Sequence, residues 1–76
     1  MKEVLESIII SLVDEQEAVS IKEIEGERTV VFEVSVADKD VGKVIGKEGK
    51  IAKSIRTIMK ALAAKESKKI TVEFID

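Results

Sequence analysis

The residues best suited to chemistry lie in one short stretch, Gly46-Lys47-Glu48-Gly49, where two glycines bracket two charged side chains. A helical pattern begins directly after this stretch. Glycine lets the backbone reach the surface with no Cβ in the way. The free N–H groups and the dipole at a helix N-terminus favour an anion. The stretch therefore predicts a turn that a phosphodiester backbone can approach closely.

The charge distribution supports an anionic ligand at this turn, although the net charge of the chain is −2. Residues 1–37 carry three Lys or Arg against nine Asp or Glu, whereas residues 38–76 carry ten against six. Lys43, Lys47 and Lys50 lie around the two glycines. Because the local field governs the approach of a ligand, the acidic total does not argue against a phosphate partner.

Composition excludes most enzyme classes. The 76 residues allow one domain, which we expect to span 1–76, and they include no cysteine and no histidine. Disulfides, thiolate metal sites, the commonest general base and the commonest metal ligand are thus removed. We expect a binding protein rather than an enzyme, with no metal and no cofactor. The chain shows no signal pattern, lipidation motif or long apolar run, so we expect a cytoplasmic protein without a membrane partner.

Two phosphate-binding motifs fail on spacing. A Walker A loop needs four residues between its first glycine and the Gly-Lys pair, but only three separate Gly42 from Gly46-Lys47, and Glu48 replaces the required Ser or Thr. A dinucleotide fold needs a strand immediately before its glycines, and none is predicted there. The two phenylalanines fall on presumed core faces, which disfavours an aromatic stacking platform on a sheet.

Hydrophobic periodicity predicts six elements in the order α-β-β-α-α-β, an α+β arrangement. The short Glu25-Gly26-Glu27 connection makes the first two strands an antiparallel hairpin, and three helices are expected to cover one face of a three-stranded sheet. The predicted elements are a helix over 2–14, strands over 18–25 and 28–36, a short helix ending near 45, a helix over 50–65 and a strand over 70–75.

Local signals refine these elements. Ile24 breaks the alternation of the first strand, which indicates a bulge. Asp38 or Asp40 is expected to cap the short helix, and Gly46 to end it. The long helix is predicted to bury an apolar face and to turn its cations, Lys53, Arg56 and Lys60, away from it. The predicted apolar face comprises Ile51, Ile55, Ile58, Met59 and Leu62.

The glycine turn and its flanks, residues 42–51, resemble the signature of the KH domain, and the whole chain is similar to small bacterial single-KH proteins of the KhpA type. The resemblance implies a type II, prokaryotic KH-like fold that binds single-stranded RNA. In such domains a GxxG loop clamps four nucleotides. The loop 64–68 would then flank the groove. The RNA-binding residues implied are Gly42, Lys43, Val44, Ile45, Gly46, Lys47, Glu48, Gly49, Lys50 and Lys53.

Two further expectations follow. Glu48 would repel a phosphate, so Lys47 is taken as the contact, and Val44 and Ile45 are candidates for an aliphatic groove lining. The resemblance also implies a homodimer or a heterodimer with another KH-containing protein, acting as an RNA chaperone or post-transcriptional regulator. The alternative is a protein–protein interaction module with little RNA affinity, for which the wide apolar face of the first helix argues.

Overall fold

The computed structural model describes residues 1–75; Asp76, the last residue of the predicted domain, lies outside them. The order α-β-β-α-α-β is confirmed, with short 3₁₀ turns at Gln16–Ala18, Asp38–Asp40 and Lys47–Gly49. No helix within residues 1–75 has the length and apolar character needed to cross a membrane. The elements are α1 (Lys2–Leu12), β1 (Ser20–Glu25), β2 (Thr29–Ser35), α2 (Val41–Ile45), α3 (Lys50–Lys65) and β3 (Lys69–Ile75).

The three strands form one mixed sheet in the order β1-β2-β3. The predicted β1–β2 hairpin is confirmed as antiparallel, whereas β2 and β3 run parallel, with Phe32 opposite Val72. The predicted bulge at Ile24 is wrong, because Ile24 pairs in register with Val31. The alternation breaks for another reason: Ile24 lies on the outer face of the sheet, where its side chain is 46% exposed.

The core lies between one face of the sheet and the helices, as predicted. Phe32, Leu5 and Met59 come from β2, α1 and α3, and each is completely buried. Burying a side chain of this size contributes roughly 1.5–3 kcal/mol relative to leaving it exposed. The buried apolar residues are Leu5, Ile9, Val13, Ile21, Val30, Phe32, Val34, Val44, Ala52, Ile55, Met59, Ala63, Ile70 and Val72.

Helix α3 has the predicted bounds but buries a narrower face than predicted. Ile55 and Met59 are buried, whereas Ile58 is 46% exposed, so its assignment to the core face is wrong. Two alanines, Ala52 and Ala63, are buried instead. Their small side chains allow the helix to lie close to the sheet. The buried face of α3 therefore consists of residues 52, 55, 59 and 63.

The end of α3 is closed by its own backbone. The N–H of Lys68 donates to the carbonyl of Ala63 at 3.0 Å, and the N–H of Ser67 donates to that of Ala64 at 3.1 Å. This is the hydrogen-bond pattern of a Schellman motif. Ser67 takes the left-handed position at φ 57°, where glycine is usual. The Lys68 ammonium pairs with Glu25 of β1 and ties the turn to the sheet.

Candidate nucleic-acid interface

The glycine turn joins α2 to α3, and its backbone geometry explains both glycines. Gly46 ends α2, as predicted, with its N–H bonded to the Gly42 carbonyl at 2.9 Å. Its dihedral angles, φ 78° and ψ 172°, fall in a region that only glycine adopts readily. Gly49 is left-handed at φ 74° and ψ 14°, and its N–H donates to the Gly46 carbonyl at 3.1 Å. The turn is therefore a closed loop with two specialised corners.

The two glycines differ in their surroundings. A Cβ built on Gly46 would lie 2.6 Å from the Cγ1 of Ile51, closer than side chains tolerate. A Cβ on Gly49 would meet nothing within 4 Å. Gly46 is thus required by packing inside the molecule. Gly49 leaves open space on the outer side of the turn, where a ligand backbone can approach.

The N-terminus of α3 opens onto this space, although the N–H of Lys50 donates to the Lys47 carbonyl. Its N-cap residue, Gly49, supplies no side-chain hydrogen bond, and the first turn holds no acidic residue. The first N–H groups of a helix have no intrahelical acceptor and carry a partial positive charge. Lys50 adds a full positive charge in the same turn. The arrangement favours an anion.

A buried carboxylate holds α2 in place beneath the turn. Asp40 is fully buried and accepts hydrogen bonds from the N–H groups of Glu15 at 2.9 Å and Asp14 at 3.2 Å. The predicted capping role is wrong: neither Asp38 nor Asp40 makes a side-chain cap, because the Asp40 carboxylate turns toward the α1–β1 connection instead. The N–H donors of Glu15 and Asp14, together with the Lys43 ammonium, lower the pKa of Asp40 below its ordinary value.

Lys43 belongs to the same cluster. Its ammonium pairs with Asp14 and lies 3.2 Å from the Asp40 carboxylate, and these hydrogen bonds raise the pKa of Lys43. Lys39 similarly contacts Glu15 at 3.1 Å. The acidic N-terminal half thus neutralises two cations of the basic half, and the charge of Lys43 is directed inward rather than to a ligand.

The remaining predicted site residues divide between core and surface. Val44 is 1% exposed and packs in the core, so its side chain is closed to a ligand, whereas Ile45 is half-buried beside the turn. Gly42 lies in α2, where a Cβ would meet nothing within 4 Å. Within residues 1–75 the four charged groups that remain form no ion pair. These are Lys47, Lys50 and Lys53, which are exposed or flank the turn, and Glu48, which is left-handed at φ 57°.

A groove lies between α3 and β3, at the edge of the sheet. It has a volume of about 180 Å³ and is lined by Arg56, Lys60, Ile70, Thr71 and Val72. The Nε of Arg56 donates to the Val72 carbonyl at 3.1 Å. A second hollow of about 300 Å³ adjoins it around Lys60, Lys68, Lys69 and Ile70.

Sequence reasoning expected an aliphatic groove, but it did not assign Arg56 or Lys60 to its lining. It correctly placed Arg56 and Lys60 off the core face of α3, but it gave no indication that they face β3. Only the pairing of β2 with β3 brings Val72 opposite Arg56. The one available signal was their spacing of four residues, which places two cations on one helix surface.

The fold and the turn together define a KH-like domain: a three-stranded sheet covered on one face by helices, with GxxG between the second and third helices. The family model described as KhpA/KhpB, KH domain, matches residues 2–74. The chain belongs to this family, which is a KH-domain family and not an enzyme family. No solved structure shows significant similarity to the chain.

Similar curated proteins share nearly the whole chain. It is 53% identical over 75 residues to the RNA-binding protein KhpA of Clostridium perfringens, and 52% identical to that of Clostridium acetobutylicum. Each alignment covers 99% of this chain and 100% of the relative. The RNA-binding protein KhpA of Chlamydia pneumoniae is 45% identical over 76 residues, covering 100% of this chain and 97% of the relative.

Proposed function

We propose that this chain binds single-stranded RNA, with one phosphate segment over the Gly46–Gly49 turn and the following bases along the α3–β3 groove. The observation that carries the proposal is the open N-terminus of α3 beside Gly49, where space, a helix end without a side-chain cap and lysines coincide. Relatives at about half identity over the whole chain are RNA-binding proteins.

Lysines that have no ion-pair partner within residues 1–75 mark a path for the RNA along α3. Lys47 and Lys50 border the turn, Lys53 follows one helical turn later, and Lys60 lies in the groove. At 1.5 Å per residue, the helix from Lys50 to Lys60 covers about 15 Å. A strand of about four nucleotides, which is what a GxxG module holds, fits this path. Lys43 serves to fix α2 rather than to touch the phosphate.

The test is a pair of substitutions at Gly49, where the structure has room for a side chain. Aspartate and asparagine are nearly equal in shape, and both tolerate the left-handed conformation. Gly49→Asp adds a negative charge beside the phosphate and is expected to abolish binding to a short single-stranded RNA. Gly49→Asn, the matched control, should retain most of the binding. Fluorescence anisotropy at several salt concentrations measures both, with a thermal melt to show that each variant folds.

Salt dependence separates the outcomes. Wild-type affinity should fall with salt at a slope of about −0.7 per phosphate neutralised on a single strand. If Gly49→Asp binds as tightly as Gly49→Asn, the phosphate does not pass over the turn and the proposal is wrong. A change at Gly46 is unsuitable for this test, because any side chain there would strain the backbone and displace Ile51.

We further propose that residues 1–76 form one KH domain that acts in the cytoplasm as an RNA chaperone or post-transcriptional regulator, paired with itself or with another KH-containing protein. One observation favours the pairing, and it equally favours the alternative of a protein–protein interaction module. Large apolar side chains on α1, on the outer sheet face and on α3 are at least 40% exposed. They are Val4, Ile24, Ile75 and Ile58. Sedimentation equilibrium with and without RNA measures the pairing; a monomer at all concentrations contradicts self-association.

A further inference from the structure

The α3–β3 groove contains one arginine whose position is fixed by two contacts. The Nε–H of Arg56 donates to the Val72 carbonyl at 3.1 Å, and the guanidinium lies 5.2 Å from the ring centre of Phe74, within range of a cation–π interaction. The side chain is half-buried. A long arginine side chain normally loses much rotamer freedom on binding, but here the protein already holds it in place.

The same contacts leave the outer part of the guanidinium available. Among residues 1–75, only the Nε of Arg56 has a hydrogen-bond acceptor, and neither Nη group is bonded within that part of the chain. The two Nη groups form the end of a planar fork with parallel N–H donors. Because Arg56 lines the groove, the fork borders space that a base can enter.

We propose that Arg56 is a specificity-determining residue that selects guanine at one position of the bound RNA. This inference rests on the proposed function, and it names what the groove recognises. The O6 and N7 atoms of guanine are adjacent acceptors that match the arginine fork, whereas adenine presents a donor beside N7.

The position of Arg56 favours a base over a phosphate as its partner. Phosphates are expected along the exposed lysines, Lys47, Lys50 and Lys53, where both the anion and its counter-charge keep their water. Arg56 lies in the groove, about 9 Å along the helix from Lys50 by its rise of 1.5 Å per residue. Base edges are read in this way when single-stranded RNA is splayed against a protein.

The experiment compares short uridine oligonucleotides of about eight residues that carry one central guanine, adenine or cytosine. Anisotropy titrations should show that wild type binds the guanine strand about tenfold more tightly than the adenine strand, since a bidentate arginine pair discriminates by about 1–3 kcal/mol. Cytosine, whose O2 and N3 are also adjacent acceptors, tests whether the larger purine is required, and it should bind more weakly than guanine.

Two changes test the role of Arg56 itself. Arg56→Lys keeps the charge but removes the fork, so the preference for the guanine strand over the adenine strand should fall to within about twofold. Arg28→Lys is the matched control: it makes the same chemical change at the other arginine, which is exposed near the hairpin turn, and the preference should persist. Replacing guanine by 7-deazaguanine removes N7 and should cost wild type about fivefold, with no change to the protein.

Each outcome is decisive. Equal binding of the three strands, or a preference that survives in Arg56→Lys, overturns the inference. If this binding is still lost in Gly49→Asp, the proposed function stands without it. If no strand binds at low salt, the proposed function fails and the inference fails with it. Thermal melts of both arginine variants show that the loss of preference does not come from unfolding.

Discussion

The two ends of α3 are built in opposite ways. At its C-terminus, the N–H groups of Ser67 and Lys68 donate to carbonyls of the last helical turn, and the ion pair between Lys68 and Glu25 stabilises this turn. At its N-terminus, two glycines leave the first N–H groups without a side-chain partner. A helix end normally finds partners in its own chain or in water. The contrast supports the proposal that a ligand binds at the N-terminal end.

The open end is held rigid by contacts with parts of the chain that precede α3. Ile51 packs against the Gly46 corner, and Asp40 fastens α2 to the α1–β1 connection. The closed end relies on local hydrogen bonds and one ion pair. Substitutions at the contacts around Gly46 and Asp40 should therefore destabilise the protein more than substitutions at the closed end.

The largest effect is expected from alanine substitution at the two glycines. Gly46→Ala should lower the free energy of unfolding by about 2–5 kcal/mol, because backbone strain and overpacking against Ile51 add together. Gly49→Ala should cost about 1 kcal/mol, the price of a left-handed alanine alone. A domain of this size has a stability of roughly 4–11 kcal/mol, so the first change removes a large share. Urea titration measures the free energy of unfolding of both variants. Equal losses would contradict the conclusion that packing constrains Gly46 but not Gly49.

An intermediate effect is expected at Asp40, and it depends on pH. The pKa of Asp40 is lowered in the folded protein by the N–H groups of Glu15 and Asp14 and by Lys43. Its stabilisation is therefore complete above the ordinary value of 3.8 and is lost as pH falls from there through the lower folded pKa. Asp40→Asn should melt below wild type at pH 7, and the gap should narrow below about pH 4.

Melts at pH 7, 5, 4 and 3 measure this gap. The other acidic groups contribute to both curves, so the difference isolates Asp40 and the cluster it holds. Asp38→Asn is the matched control, because Asp38 is exposed and makes no side-chain cap. A gap that stays constant down to pH 3 would contradict the assigned role.

The smallest effect is expected at the closed end of α3. Ser67 adopts φ 57°, where a Cβ is unfavourable by roughly 1–2 kcal/mol. Ser67→Gly relieves this cost, but glycine also gives the unfolded chain more freedom, so the net gain should be at most about 1 kcal/mol. Ser67→Ala keeps the Cβ and should change little. RNA affinity should be the same in all three proteins, since the turn at this end is closed.

Much of the fold could be predicted from local pattern. The alternation of β2 and β3 and the period of α3 identify these elements almost to the residue. What failed were features set by distant contacts. Ile58 has the spacing of a core residue, but Ala52 and Ala63 face the sheet instead. Ile24 has the spacing of a bulge, but it pairs in register with Val31 on the outer face of the sheet.

The candidate site shows the same limit. The glycine turn is visible in the sequence because positive φ angles require a particular residue type. The Asp40 cluster is not visible, since its partners lie 25 and 26 residues away. Arg56 resembles any exposed helix cation until β3 is placed beside it.

The parallel pairing of β2 with β3 also has a kinetic consequence. Thr29 lies opposite Lys69, so the two strands meet only after a segment of forty residues has been closed into a loop. The β1–β2 hairpin needs a far smaller loop, and loop-closure entropy favours it early in folding. We expect substitutions in the hairpin to slow folding and those in β3 mainly to speed unfolding. The wall of the groove that bears Val72 is then the last part of the molecule to form.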